Sequence, residues 1–222
     1  MHKNLINLTI IEKQINDKIE GTLSDSKKIN IIAISKTFKM IDIKPLIEHG
    51  HIHFGENKVQ EAVEKWSEIK SNPTNLKLHM VGKLQTNKVK FILPLFDYIH
   101  SLDNLKLAEK ISIEQEKKKF RPKIFIQVNI GKESQKSGIE VENLEIFFKT
   151  CINKLNLNII GLMCIPPNDE QTDLYFKEMN ELNKKLGLKD LSMGMSSDYE
   201  IAIKNKATFI RIGSKIFGDR SK

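Results

Sequence analysis

The chain has 222 residues, 40% hydrophobic and 29% charged, which suits a globular domain with a buried core and excludes a disordered chain. Its net charge is +8, yet only Arg121, Arg211 and Arg220 of the 36 basic residues are arginine, and abundant Lys, Ile and Asn throughout point to compositional drift rather than a basic patch for nucleic acid. No apolar run approaches the roughly 20 residues of a membrane helix, the N-terminus carries no signal-peptide pattern, and Cys151 and Cys164 form neither a CxxC motif nor a disulfide framework. The expectation is one domain over residues 1–222, cytoplasmic and monomeric, with no nucleic-acid or membrane partner.

Residues 4–20 read as a helix, with Leu8, Ile11, Ile15 and Ile19 on one face and Gly21 as its stop. Eight short apolar runs follow: Ile29–Ile34, Ile52–Phe54, Leu78–Val81, Tyr98–Ser101, Lys123–Ile130, Asn158–Cys164, Leu191–Met195 and Phe209–Ile212. Several are continuous rather than alternating, as expected for strands buried on both faces. Helical stripes lie between them. Val59, Val63 and Trp66 share one face. Leu105, Ala108 and Ile111 share another, with Asp103 as the cap. Leu144, Phe148, Cys151 and Leu155 make a third stripe, and Tyr175, Met179, Leu182 and Leu186 a fourth. Segments 43–49, 86–93 and 197–205 are compatible with shorter helices. Eight β-α units with right-handed crossovers predict a (β/α)8 TIM barrel with an extra N-terminal helix; a doubly wound open sheet is the alternative.

In such barrels function sits at the C-terminal ends of the strands. The first strand ends in Ser35-Lys36-Thr37, the second in Gly55-Glu56-Asn57, and the seventh and eighth in Ser196-Ser197 and Arg211-Ile212-Gly213-Ser214. Burial of Lys36 against apolar walls favours a neutral, nucleophilic amine, whereas its bland reading is a lysine that snorkels to solvent. Loops after strands 7 and 8 commonly hold phosphate. Ser196, Ser214 and the Gly213 N–H are candidates for that task. Ser197-Asp198-Tyr199-Glu200 also has the form of a capping box, so Ser197 can serve as a helix cap, and Asp198 is expected to face outward. Arg211 stands out because arginine is scarce here and its planar fork is not replaced by lysine. Closure places strand 1 beside strand 8. A ligand with an aldehyde at one end and a phosphate at the other fits that neighbourhood, and pyridoxal 5′-phosphate (PLP) is such a molecule.

The chain resembles the pyridoxal phosphate homeostasis proteins, related to the alanine racemase N-terminal domain. The resemblance spans nearly the whole length. It is carried by Ala33-Ile34-Ser35-Lys36, by Phe54-Gly55-Glu56-Asn57 with Gln60-Glu61, and by His79 through Gly82 with Leu84-Gln85 and Asn87-Lys88. It continues through Gln127-Val128-Asn129, Lys136-Ser137-Gly138, Gly161-Leu162-Met163, Leu191 to Ser196, Arg211-Ile212-Gly213 and Phe217-Gly218. It implies that Lys36 carries PLP as a Schiff base and that Arg211 faces the pyridine nitrogen. It places Ser196, Gly213 and Ser214 around the phosphate, Ser197 close by, and Asn57 near the cofactor. Phe38-Lys39 departs from the proline or threonine frequent after the lysine motif.

Two functions follow: a protein of vitamin B6 homeostasis that buffers PLP or delivers it to PLP-dependent apoenzymes, or a weak racemase-like enzyme. A racemase needs an acid–base residue opposite the lysine, which in the alanine racemases comes from a further β domain. Here the chain stops after the eighth unit. An arginine at the ring nitrogen also leaves the ring a weaker electron sink. The expectation is therefore a carrier with no catalytic residue. His79 inside strand 3 reads as a packed core histidine rather than an acid or base. An aldolase-like barrel using Lys36 without PLP has only Glu56 as a strand-end carboxylate. His49, His51 and His53 alternate, but they lack a carboxylate at ligand spacing, so no metal site is expected.

Overall fold

The computed structural model describes residues 2–20, 28–72, 74–133, 135–167 and 169–219. The Ile19 side chain, the predicted stop at Gly21 and Arg220 lie outside the described residues. After helix α1 (Lys3–Glu20) the elements alternate: β1 (Asn30–Ile34), α2 (Met40–Glu48), β2 (His53–Glu56), α3 (Val59–Ser71), β3 (Lys77–Met80), α4 (Val89–Ile92), β4 (Tyr98–Leu102), α5 (Leu105–Lys118), β5 (Lys123–Gln127), α6 (Leu144–Asn153), β6 (Ile159–Met163), α7 (Thr172–Lys185), β7 (Asp190–Met195), α8 (Tyr199–Lys204), β8 (Phe209–Ile212) and α9 (Ser214–Phe217). The eight strands pair in parallel in sequence order and close β8 onto β1, with Ile32 opposite Arg211 and Ala33 opposite Ile212. This is the predicted TIM barrel.

Two apolar regions hold it together. The larger lies between strands and helices and includes Ala33, Phe54, Trp66, Leu78, Ile99, Ile126, Leu162 and Ile210. The smaller fills the barrel interior with Ile32, Ile34, Tyr98, Phe125, Met163 and Phe209. Strands clamped between the two are apolar on both faces, which explains their continuous hydrophobic runs. Helix α1 buries Leu8, Ile11 and Ile15. It closes the seam where the chain ends meet: the Asn4 side chain donates to the Asp42 carbonyl (3.0 Å), that of Asn7 to the Ile216 carbonyl (2.9 Å), and Gln14 accepts from the Tyr199 hydroxyl (2.9 Å).

Two helix frames differ from expectation. Asn104, not Asp103, caps α5 by accepting from the Leu107 N–H at 2.9 Å. The buried stripe is consequently Leu107, Ala108 and Ile111, and Leu105 is exposed. In α3 the fully buried residues are Ala62 and Trp66, with Val59 packed only partly against the core.

The first βα junction is fixed by a buried carboxylate. Glu56 is fully buried, and its Oε1 accepts from Ser35 Oγ (2.7 Å), Lys65 Nζ (3.0 Å) and Trp66 Nε1 (3.0 Å). It is turned toward α3 and away from the barrel mouth. Lys65 also donates to the Ser35 carbonyl (2.9 Å) and to Glu61 (3.0 Å). Removing one partner of a buried ion pair leaves an uncompensated charge and costs about 3–5 kcal/mol. Lys65→Met is therefore expected to destabilise the fold by about that amount in urea denaturation; a loss below about 1 kcal/mol would show that Glu56 does not depend on Lys65.

Candidate functional site

At the C-terminal ends of the strands lies a cavity of about 830 Å³. All seven site residues expected from sequence line it: Lys36, Asn57, Ser196, Ser197, Arg211, Gly213 and Ser214. Lys83, Gln127, Asn129, Lys136 and Asp219 complete its polar wall, and Ile34, Phe38, Val81, Ile165 and Met195 its apolar one. Sequence reading did not assign Lys83, Lys136 or Asp219 to the site, because each sits in a loop whose path only the closed barrel defines.

Lys36 is partly buried, two residues beyond the end of β1. The chain then turns at Thr37, whose φ of 69° is unusual for a β-branched residue. The Glu61 carboxylate holds this turn by accepting the Thr37 N–H. Phe38, the departure from the family pattern, stacks on Phe217 with ring centroids 4.8 Å apart, tying the lysine loop to α9.

Between the ends of β7 and β8, Ser196 Oγ accepts from the Gly213 N–H at 3.3 Å and the Lys215 N–H at 3.5 Å. One hydroxyl thus gathers the two backbone donors of the last turn. The expected capping box does not form. Asp198 is the residue flanking α8, and its carboxylate accepts the Met195 N–H at 2.6 Å, while Ser197 is exposed. Asp198 does not face outward as expected. It is half-buried in its own loop, where its charge acts on Arg211 and Cys164.

Asn57 packs its backbone directly on Gly82: a Cβ there would lie 2.3 Å from the Asn57 carbonyl oxygen and 2.7 Å from its Cα. Asn57 Oδ1 is buried and, among the described residues, has no hydrogen-bond partner. A buried acceptor left open in a cavity wall is a place for a polar ligand or water.

Arg211 is 5% exposed, and its guanidinium reaches the cavity from inside the barrel. Nη1 donates to the Ser192 carbonyl and to Ser192 Oγ, both at 2.8 Å, and Nη2 donates to the Cys164 carbonyl at 2.8 Å. Below it runs a column of imidazoles that sequence reading missed. His100 Nδ1 is 2.8 Å from Ser192 Oγ, His79 Nδ1 is 2.9 Å from His100 Nε2, and His53 Nδ1 is 2.9 Å from His79 Nε2. His79 is buried as expected, but as a link in this column. The histidines come from three different strands, so no sequence spacing announces them.

Burial pushes His51 and His53 down to about 4. Burial, and after it neighbouring positive charge, holds His79 and His100 well below the ordinary 6.5. The unfolded chain takes up protons near 6.5, whereas the folded rings remain neutral to far lower pH. Their contribution to stability is complete above 6.5 and is lost as pH falls toward about 4. The melting temperature is expected to drop steadily over that window, and His51→Gln, with one titrating ring fewer, to shallow the slope. A melting temperature flat over this window would contradict the burial of these rings.

The closed parallel barrel with a lysine past β1 and a serine–glycine turn after β8 defines the class of protein: the family model described as "Alanine racemase, N-terminal domain" matches residues 14–221. Within that class, the chain belongs to the pyridoxal phosphate homeostasis protein family. It is 39% identical over 199 residues to the pyridoxal phosphate homeostasis protein of Aquifex aeolicus (strain VF5), covering 86% of each chain. It is similar to PipY of Synechococcus elongatus PCC7942, solved with PLP bound, at 32% identity and a TM-score of 0.79, covering 92% of this chain and 99% of that one. An alanine racemase from Clostridium difficile 630 shares the fold at 14% identity and a TM-score of 0.71, with all of this chain covering 58% of that one.

Proposed function

We propose that this protein binds PLP as a Schiff base on Lys36 and serves intracellular vitamin B6 homeostasis, in the cytoplasm, by holding the cofactor and releasing it to PLP-dependent apoenzymes. The observation that carries the reading is the convergence of Lys36, Arg211 and the Ser196–Gly213 turn on one cavity across the β1–β8 seam.

The cavity's own chemistry fits the cofactor. A primary amine stands at one wall, gathered backbone N–H groups and hydroxyls at the adjacent turn, and an unpartnered carboxamide oxygen of Asn57 opposite. In the proposed arrangement Lys36 Nζ would hold the cofactor at its aldehyde end. Ser196, Ser197, Gly213 and Ser214 would hold the phosphate, Asn57 would offer its open oxygen to a polar edge, and Arg211 would meet the ring nitrogen. When bound, PLP supplies an electron sink. A permanently cationic donor at the ring nitrogen keeps that nitrogen unprotonated and the sink weak.

The same geometry supports a carrier over a racemase. Racemisation needs a proton donor on the ring face opposite the lysine. The three tyrosines are engaged elsewhere: Tyr98 stacks on His79 in the barrel interior, Tyr175 bonds Asp169 on the surface, and Tyr199 bonds Gln14. No tyrosine or histidine lines the cavity among the described residues. The carboxylate expected for the aldolase-like alternative, Glu56, is bound to Ser35, Lys65 and Trp66, which leaves Asp219 as the carboxylate in the cavity wall among the described residues.

PLP-loaded protein is expected to show the visible absorbance of a Schiff base, and Lys36→Ala to lose it while keeping the fold. A K36A protein with unchanged absorbance would remove Lys36 from the role. In deuterated water with a panel of amino acids, the loaded protein is expected to show no multiple-turnover exchange at Cα. Rapid exchange would make it an enzyme. Gly82→Ala, which forces the Asn57 backbone to move, is expected to weaken PLP binding by about fivefold to tenfold, the worth of one hydrogen bond to the ligand. Equilibrium titration with PLP measures it, and an unchanged affinity would mean that Asn57 does not touch the cofactor.

A further inference from the structure

Satisfying every buried donor of the imidazole column favours one proton order. Arginine donates and never accepts. Ser192 Oγ therefore accepts from Arg211 Nη1, and the serine hydroxyl has its own proton left to donate. Oγ keeps a second lone pair, but a bond accepted there would strand its own buried proton; the hydroxyl's other neighbour among the described residues is His100 Nδ1 at 2.8 Å, and donating to that nitrogen satisfies it. A neutral imidazole with Nδ1 accepting carries its proton on Nε2. His100 Nε2 then donates to His79 Nδ1, and His79 Nε2 donates to His53 Nδ1. His53 is left with its proton on Nε2, at the opposite end of the barrel, where it lines a cavity of about 550 Å³ with Lys28, His49 and His51.

The surroundings keep the line fixed. His79 and His100 are fully buried, and so is Ser192. Tyr98 stacks on His79 with centroids 4.2 Å apart, and Phe125 stacks on His100 at 4.4 Å. Phe209 packs against both imidazoles. Rings held on their faces by aromatic neighbours and on their edges by one another have little freedom to rotate. The charged groups nearby are Arg211 above, Lys123 at the side of Tyr98, and Lys28, Lys77 and Asp97 around His53. The line cannot deliver a proton from the lower face to the cavity, because a guanidinium does not release one in a protein. Its remaining role is orientation.

We infer that Ser192, His100, His79 and His53 are positioning residues for Arg211: a single donor line, ordered from the guanidinium downward, that fixes how the guanidinium presents itself to the cavity. Hydrogen bonds to Ser192 and Cys164 occupy three of its five N–H groups, so its plane is set before any ligand arrives. That Arg211 then meets the PLP ring rests on the function proposed above; the proton order itself does not.

The test uses full-length protein with nitrogen-15-labelled histidine. Long-range proton–nitrogen NMR of the PLP-free protein at neutral pH is expected to show His53, His79 and His100 all as Nε2–H tautomers. An Nδ1–H tautomer, or a mixture, at His100 would overturn the inference whether or not PLP binds. Ser192→Ala cuts the line with little change of volume. It is expected to release His100 from its tautomer and to shift the pH midpoint of the PLP absorbance by about half a unit or more. Ser192→Thr, which keeps the hydroxyl, is expected to restore both. A merely structural Ser192 would lower the melting temperature in the alanine variant and leave tautomer and midpoint untouched, which would equally overturn the inference. Failure of the wild-type protein to bind PLP would sink the proposed function instead, and the tautomers would still decide the line.

Discussion

A guanidinium nearly out of water at the centre of a barrel has to find acceptors, and much of this structure follows from how Arg211 finds them. Burying an unpaired cation is prohibitively costly, and no carboxylate approaches hydrogen-bonding distance of it among the contacts described. The acceptors are the carbonyls of Cys164 and Ser192 and the Ser192 hydroxyl, all at 2.8 Å. They come from the ends of β6 and the interior of β7, so the arginine stitches three consecutive strands at the level of the cavity floor. The shared hydroxyl extends the order downward through His100 and His79 to His53. A polar spine thus replaces part of the apolar filling usual inside such barrels.

Closure does the rest. Pairing β1 with β8 sets Lys36, two residues past one strand, beside Gly213, one residue past the other. Gly213 lies close enough to Ile34 that an added Cβ would stand 3.5 Å from it, which measures how near the two strand ends run. The α1 seal over α2 and α9, and the stacking of Phe38 on Phe217, hold the same seam from outside. The Lys36 amine and the Gly213–Ser214 turn are thereby presented by adjacent rigid strands, an arrangement that suits the proposed retention of a small bifunctional cofactor better than a mobile loop would.

The barrel was legible in the sequence because parallel strands packed on both sides leave continuous apolar runs, and the run Phe209–Ile212 matches β8 at both ends. That the seven candidate residues would come together was legible because barrels gather strand-end residues at one mouth, and all seven line one cavity; the roles of Asn57 and Arg211 came from the family resemblance. Helix frames were less so. Adjacent Asp103 and Asn104 both make credible caps, and the choice of Asn104 rotates the stripe off Leu105. The Ser197 capping box fails because α8 begins at Tyr199 with Asp198, not Ser197, as its flanking residue, and the Asp198 carboxylate accepts from the Met195 N–H instead. The histidine column was invisible, since His53, His79 and His100 are neighbours only through strand register, Gly55 pairing with His79 and His79 with Tyr98.

The central claim is that one lysine among several at the cavity carries the cofactor. Lys36, Lys83 and Lys136 all line it. Borohydride reduction of the PLP-loaded protein, followed by peptide mapping, distinguishes them directly. The account predicts a stable phosphopyridoxyl label on Lys36. A label confined to Lys83 or Lys136, or none at all, would contradict it.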